Sequence, residues 1–64
     1  MAQVTLKGAR ISAGYSQEEL AKKLDISRDL IAKWETGKVK IRTINLYGFC
    51  LATGFDPADI LLPS

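Results

Sequence analysis

The sequence predicts an all-α fold, a bundle of four or five short helices. Three observations predict it. Apolar residues recur at helical spacing in five segments, each with a capping residue at its start. No stretch shows convincing alternation of apolar and polar residues in the manner of a half-buried strand. Ser16–Gly37, SQEELAKKLDISRDLIAKWETG, reads as two short helices joined by a tight turn. The 64 residues are expected to be one small domain, 1–64, or a fragment of a longer chain. A chain of this size buries only about 60% of its unfolded surface, so its stability is modest.

Thr5 caps a first helix over roughly Leu6 to Ala13, with Leu6, Ala9 and Ala13 on one face and Ile11 half exposed beside it. Gly8 inside this helix costs about 1 kcal/mol relative to Ala and points to close packing. Gly14 ends the helix, and Tyr15 acts as a hydrophobic staple on the first turn of the next. Ser16 and Glu19 form a capping box for the second helix, whose buried stripe is Leu20, Ala21 and Leu24. Glu18–Lys22 and Glu19–Lys23 are i,i+4 pairs in the favourable order, each worth roughly a few tenths of a kcal/mol. Asp25-Ile26-Ser27 breaks the pattern. Ser27 then caps a third helix from about Arg28 to Trp34, with Ile31 and Trp34 facing inward and Gly37 ending it in a left-handed cap.

Thr43 caps a fourth helix reaching about Thr53, with Gly54 beyond it. Ile44, Tyr47 and Leu51 form one stripe, and Leu46, Phe49, Cys50 and Thr53 a neighbouring one. Apolar residues on nearly every side make this the helix expected to be most buried, with Gly48 a local weakness. Asp56 as cap, Pro57 at the first position and Asp59 near the N-terminus open a last short helix through Ile60-Leu61-Leu62, and Pro63 prevents a long continuation.

Hydrophobic content of 47% and charged content of 25% are ordinary for a globular domain. No apolar run approaches the ~20 residues of a membrane span, and MAQVTLKGAR lacks the apolar core of a signal peptide. One cysteine makes no internal disulfide, and there is no histidine, which predicts a cytosolic chain without the usual zinc ligands. Cys50 reads as a small core residue rather than a reactive thiol. Without histidine, a nucleophile–base pair, a phosphate loop or a metal cluster, neither an enzyme nor a cofactor is expected.

Net charge is only +2, but it is unevenly distributed. Residues 1–42 hold all nine bases against five acids, and residues 43–64 hold Asp56 and Asp59 alone. The cationic part contains the two-helix unit 16–37, and two helices with a three-residue turn are the DNA-binding helix-turn-helix plan. Such asymmetry suits a domain that meets a polyanion on one side, with a merely solvated surface as the alternative. Gln17 sits at a positively polarised helix start, where a phosphate meets free N–H groups. Lys38-Val39-Lys40-Ile41-Arg42, three bases in five residues, is a phosphate-contacting loop on one reading and a solvated loop on the other.

Gly14-Tyr15-Ser16-Gln17-Glu18-Glu19-Leu20-Ala21, Ile26-Ser27, Ile31 and Trp34-Glu35-x-Gly37 resemble the helix-turn-helix of phage repressor and Cro-type regulators. Gly54-Phe55-Asp56-Pro57-x-Asp59-Ile60-Leu61 resembles that family's fifth helix, so the resemblance covers nearly the whole chain. It implies a lambda repressor-like five-helix domain that binds double-stranded DNA sequence-specifically, usually as a homodimer on a pseudo-palindromic operator, in a bacterial cytoplasm and associated with the nucleoid. It also implies an ion pair between Arg10 and Glu35. The family often has Gly where this chain has Asp25; the backbone there tends to positive φ, which Asp tolerates. Many repressors continue into a C-terminal oligomerisation domain, so the 64 residues are expected to be either a small Cro-like regulator or an N-terminal domain.

The resemblance places the recognition helix, about 28–34, in the major groove. Its reading positions map onto Ser27, Arg28, Asp29 and Lys33. Arg28 is the leading candidate, because a guanidinium bonds guanine O6 and N7 together. Lys33 reaches guanine or a phosphate. Asp29 either accepts from cytosine N4 or orients Lys33. Leu30 and Ala32 touch a thymine methyl or are partly buried, and Ser27 caps the helix first. Phosphate contacts are expected from Gln17, Lys38, Lys40 and Arg42, with Arg10 also near the backbone. The alternative function is a protein-interaction module of the same fold, an antitoxin or anti-repressor acting through a partner protein. For that reading, Phe55, Ile60, Leu61 and Leu62 are core by default, and a dimer or partner surface otherwise.

Overall fold

Three of the four α-helices begin where a short polar side chain replaces a missing backbone partner. In the computed structural model, which describes residues 3–63, Thr5 Oγ1 accepts the Gly8 N–H at 3.0 Å and opens α1 (Leu6–Ser12). A Cβ on residue 8 would lie 3.2 Å from that same oxygen, so glycine leaves the cap unhindered. Ser16 opens α2 (Gln17–Leu24) with a complete capping box: the Glu19 N–H donates to Ser16 Oγ at 3.0 Å, and the Ser16 N–H donates to Glu19 Oε1 at 2.8 Å. Ser27 opens α3 (Arg28–Thr36) by accepting the Leu30 N–H at 3.2 Å. In α4 (Thr43–Thr53) the cap residue is Arg42, without a side-chain bond. Thr43 is therefore the first helical residue and not the cap expected of it.

The capping box has a pH signature. The Ser16 N–H, then the Ser16 hydroxyl, hold the Glu19 carboxyl below its ordinary pKa. A carboxylate depressed in the folded state contributes stability above its unfolded pKa and loses it as pH falls through the folded value. Glu19→Gln is expected to keep the reciprocal bonds and lose this acid-limb slope. Denaturant melts of parent and variant from about pH 7 to about pH 3 check it; parallel curves would count against the assignment.

The turn between α2 and α3 rests on Asp25, which adopts the left-handed conformation at φ 58° and ψ 47°. Its N–H donates to the Lys22 carbonyl at 3.2 Å, and the Ile26 N–H donates to Ala21 at 3.0 Å. Two of the carbonyls left open at the end of α2 are thus satisfied as α3 is redirected across it.

The C-terminal segment departs from the expected fifth helix. Asp56 caps it through Ala58 N–H at 2.9 Å, but only a 3-10 turn follows, Pro57–Asp59. Ile60–Leu61 then runs extended as β2 and pairs in parallel with β1 (Val4–Thr5), Val4 opposite Ile60 and Thr5 opposite Leu61. The fold is mostly helical with four α-helices rather than an all-α bundle of five. A helix this short is marginal alone, whereas the extended backbone pairs with β1 and buries Ile60. Two-residue strands are too short for alternation to be visible.

The core joins Leu6 and Ala9 of α1, Leu20 of α2, Ile31 and Trp34 of α3, and Phe49 of α4. Ile60 of β2 and Ile41 of the segment between α3 and α4 close it. Leu61 and Leu62 are exposed. Of the two stripes on α4, the one containing Phe49 and Cys50 is buried. The other faces outward, with Ile44, Tyr47 and Leu51 exposed by 77%, 56% and 88%. α4 is therefore not the most buried helix. It packs against α1 and α2 on one side, and the described residues supply nothing for the other. Burial pushes the Cys50 thiol pKa up, and the Asp56 charge adds to the effect. The described salt bridges are Arg10–Glu35 and Asp29–Lys33. The expected Glu18–Lys22 and Glu19–Lys23 pairs do not close, and Glu19 instead serves the cap.

Candidate nucleic-acid interface

Burial of Ile31 and Trp34 fixes which side of α3 faces the core. Ser27, Arg28, Asp29 and Lys33 consequently lie on the exposed side, while Leu30 and Ala32 are partly buried between the two. Lys33 Nζ lies 3.0 Å from Asp29 Oδ2, one turn away. Of the two roles open for Asp29, this contact corresponds to orienting Lys33. The ammonium has three donors and the carboxylate two oxygens, so groups on both remain available to a ligand.

The start of α2 stands beside the start of α3. A shallow cleft of about 290 Å³ is lined by Gln17, Arg28, Asp29 and Ala32, and an adjoining one of about 370 Å³ has Ser16, Gln17 and Arg28 in its wall. Gln17 and Arg28 thus share both clefts. The first N–H groups of α2 have no intrahelical partner and open on the same side, where the helix dipole favours an anion.

Behind this surface is a buried polar cluster. Arg10 Nε donates to Glu35 Oε2 at 2.6 Å, Arg10 Nη2 to Glu35 Oε1 at 3.3 Å, and Arg10 Nη1 to the Tyr15 carbonyl at 2.8 Å. Gln17 Nε2 donates to Glu35 Oε1 at 3.0 Å. Arg10 is only 7% exposed, with three nitrogens engaged inside the protein. Its guanidinium ties α1 to the end of α3, and the residue also lines the second of the two clefts beside Ser16, Gln17 and Arg28. Gln17 keeps one amide hydrogen and its carbonyl free after bonding Glu35. This bond links residues 18 apart, and no local pattern in the sequence signals it.

Beyond α3, Gly37 turns at φ 79° and the Val39 N–H donates back to the Lys33 carbonyl at 3.3 Å. Lys38, Lys40 and Arg42 are exposed, whereas Ile41 is buried and pins the segment to the core. Sequence reasoning missed Ile41 as an anchor. The signal was present in the alternation Lys38-Val39-Lys40-Ile41-Arg42, which separates three bases from two apolar residues. An anchored loop presents its charges at lower entropic cost than a free one.

Among the described residues no helix is long and apolar enough to cross a membrane, and no cluster of histidine, cysteine or carboxylate side chains suits a metal ion. A helix-turn-helix family model matches residues 6–60, from the start of α1 to Ile60. No curated protein matches the chain.

Proposed function

The chain belongs to the Cro/C1-type helix-turn-helix family of DNA-binding regulatory domains, and from that premise we propose that it is a Cro/repressor-type transcriptional regulator. It binds a specific double-stranded operator as a homodimer, with the lambda repressor-like disposition of α3 in the major groove. The observation that carries this reading is the position of Arg28. It is exposed at the first residue of α3, between the α2 N-terminus on one side and the Asp29–Lys33 pair on the other.

In this reading Arg28 bonds guanine O6 and N7. The Lys33 ammonium, held by Asp29, reaches a second acceptor on a base edge or a phosphate. Ser27 caps α3 and approaches the sugar–phosphate backbone. Gln17, the first N–H groups of α2, Lys38, Lys40 and Arg42 contact phosphates and set the register, which carries no sequence information itself. Arg10 and Glu35 act beneath the surface by holding α1, α2 and α3 together.

Selection of bound sequences from a random duplex pool tests the proposal. A reproducible motif with two symmetric half-sites is expected; failure to enrich any sequence would refute it. Two substitutions separate readout from positioning. Arg28→Ala is expected to flatten preference at one base position, a loss of about 1–3 kcal/mol of discrimination, and an unchanged preference profile would remove Arg28 from the readout. Lys38→Ala or Lys40→Ala is expected to weaken binding to all sequences alike and lower the salt slope by about 0.9 per lost contact. Unaltered affinity in both would remove the loop from the interface.

A protein-interaction role, as an antitoxin or anti-repressor, is the second reading, and the outward apolar side of α4 favours it. Salt distinguishes the two. Operator binding falls steeply with salt, while apolar docking does not.

A further inference from the structure

We propose that the cavity beneath the basic loop, between the end of α3 and the C-terminal segment, binds a small organic monocarboxylate, and that its occupancy weakens the hold on DNA. The site stands on its own geometry, while the effect on DNA rests on the operator-binding reading. The cavity measures about 420 Å³ and is walled by Trp34, Val39, Ile41, Leu62 and Pro63, with Lys40 also in its lining. That volume falls in the range of small-molecule pockets, roughly 300–1,000 Å³. The C-terminal segment closes the cavity against the turn at Gly37, where a Cβ would lie 3.1 Å from the Pro63 Cβ.

Three features select the class of ligand. The first is the wall. Besides Lys40, its side chains carry one polar atom, the indole nitrogen of Trp34. An aromatic ring or a short hydrocarbon body therefore fits the interior.

The second is a free donor. Trp34 is 3% exposed, yet its indole N–H donates to no group among the described residues. Among those residues no side-chain nitrogen or oxygen is both sealed from solvent and without a partner. The N–H thus opens where Trp34 meets solvent, and Trp34 lines this cavity and an adjoining one of about 310 Å³. An indole N–H only donates, so it calls for an acceptor on the ligand.

The third is charge. Lys40 lines both cavities and Arg42 the second. No acid stands between Glu35 and Asp56 in the chain, and the described salt bridges engage none of Lys38, Lys40 and Arg42. A carboxylate supplies acceptors for the indole and a counter-charge for the ammonium together. Held at Lys40, it occupies a base that the operator-binding reading gives to a phosphate. Ligand and DNA then oppose each other by the same factor.

Sodium 3-phenylpropionate is the probe, with its neutral amide as the uncharged isostere, both at constant ionic strength. The chain's one tryptophan gives one indole N–H signal by NMR. Saturable movement of that signal and of the amides of residues 37, 39–41 and 62 is expected, with a Kd of about 0.1–2 mM. The amide isostere should bind about three- to fivefold more weakly, and Lys40→Gln should remove the difference. Leu62→Glu places a like charge in the wall and should abolish binding of the acid, with circular dichroism confirming the fold. On a duplex selected from the random pool, saturating acid should weaken parent binding about three- to fivefold and leave binding by Lys40→Gln unchanged.

No saturable movement up to about 10 mM overturns the site, as does movement centred on another surface. Equal affinity for acid and amide overturns the ligand class. Bound acid that leaves duplex affinity unchanged overturns the opposition to DNA. If the parent binds no duplex at all, the operator reading fails, and the NMR titration still decides the site.

Discussion

Trp34→Ala is expected to leave the protein largely unfolded at room temperature. Trp34 is almost completely buried, and it joins the core on one side to the 37–42 segment on the other, sharing cavity walls with Val39, Lys40 and Ile41. Truncating a buried tryptophan costs about 3–5 kcal/mol, while a domain of this length has only roughly 3–10 kcal/mol of total stability. The loss falls on function as well, because Trp34 seats α3 and anchors the segment carrying Lys38, Lys40 and Arg42. Far-ultraviolet circular dichroism is the suitable probe, since the variant lacks the chain's one tryptophan. A cooperative melt near the parent's temperature would contradict the prediction.

Glu35→Ala is expected to be nearly as damaging, for a different reason. The Glu35 carboxylate receives Arg10 through two nitrogens and Gln17 through one, and the side chains of both Arg10 and Glu35 are less than a tenth exposed. Removing one member of a buried pair leaves the other charge without compensation, at about 3–5 kcal/mol. Arg10→Met combined with Glu35→Leu is expected to recover much of that loss, because the desolvated charges are then gone together. Denaturant melts of the single and double variants measure the coupling. A Glu35→Ala loss below about 1 kcal/mol would show that the pair is not needed to hold α1 to α3.

These two residues differ in how visible they are from the chain alone. Trp34 stands three residues after Ile31 in a capped helix, and that spacing marks it as core. Glu35 looks like a surface acid in every local respect. Only its resemblance to a position in repressor-type domains links it to Arg10, and nothing local links it to Gln17. The same contrast runs through the candidate interface. The exposure of Arg28 and Lys33 follows from the helical period once Ile31 and Trp34 are inside. The withdrawal of Arg10 from the surface does not follow, because it depends on where the carbonyl of Tyr15 and the carboxylate of Glu35 meet it.

What the sequence determined by itself was therefore local. The hydroxyls of Thr5, Ser16 and Ser27 and the carboxylate of Asp56 bond N–H groups two or three residues away. Asp25, Gly37 and Gly54 take left-handed conformations that most other residues resist. Such interactions involve backbone and side chain within one turn, so three or four letters specify them. The tertiary structure decided the rest. It drew Ile60 into a strand against Val4 instead of a fifth helix, turned Ile44, Tyr47 and Leu51 outward although their spacing matches a core stripe, and used Ile41 to hold a basic loop in place. In each case an apolar side chain is buried only where another element offers a surface to cover it, and that offer is made by residues far away in the chain.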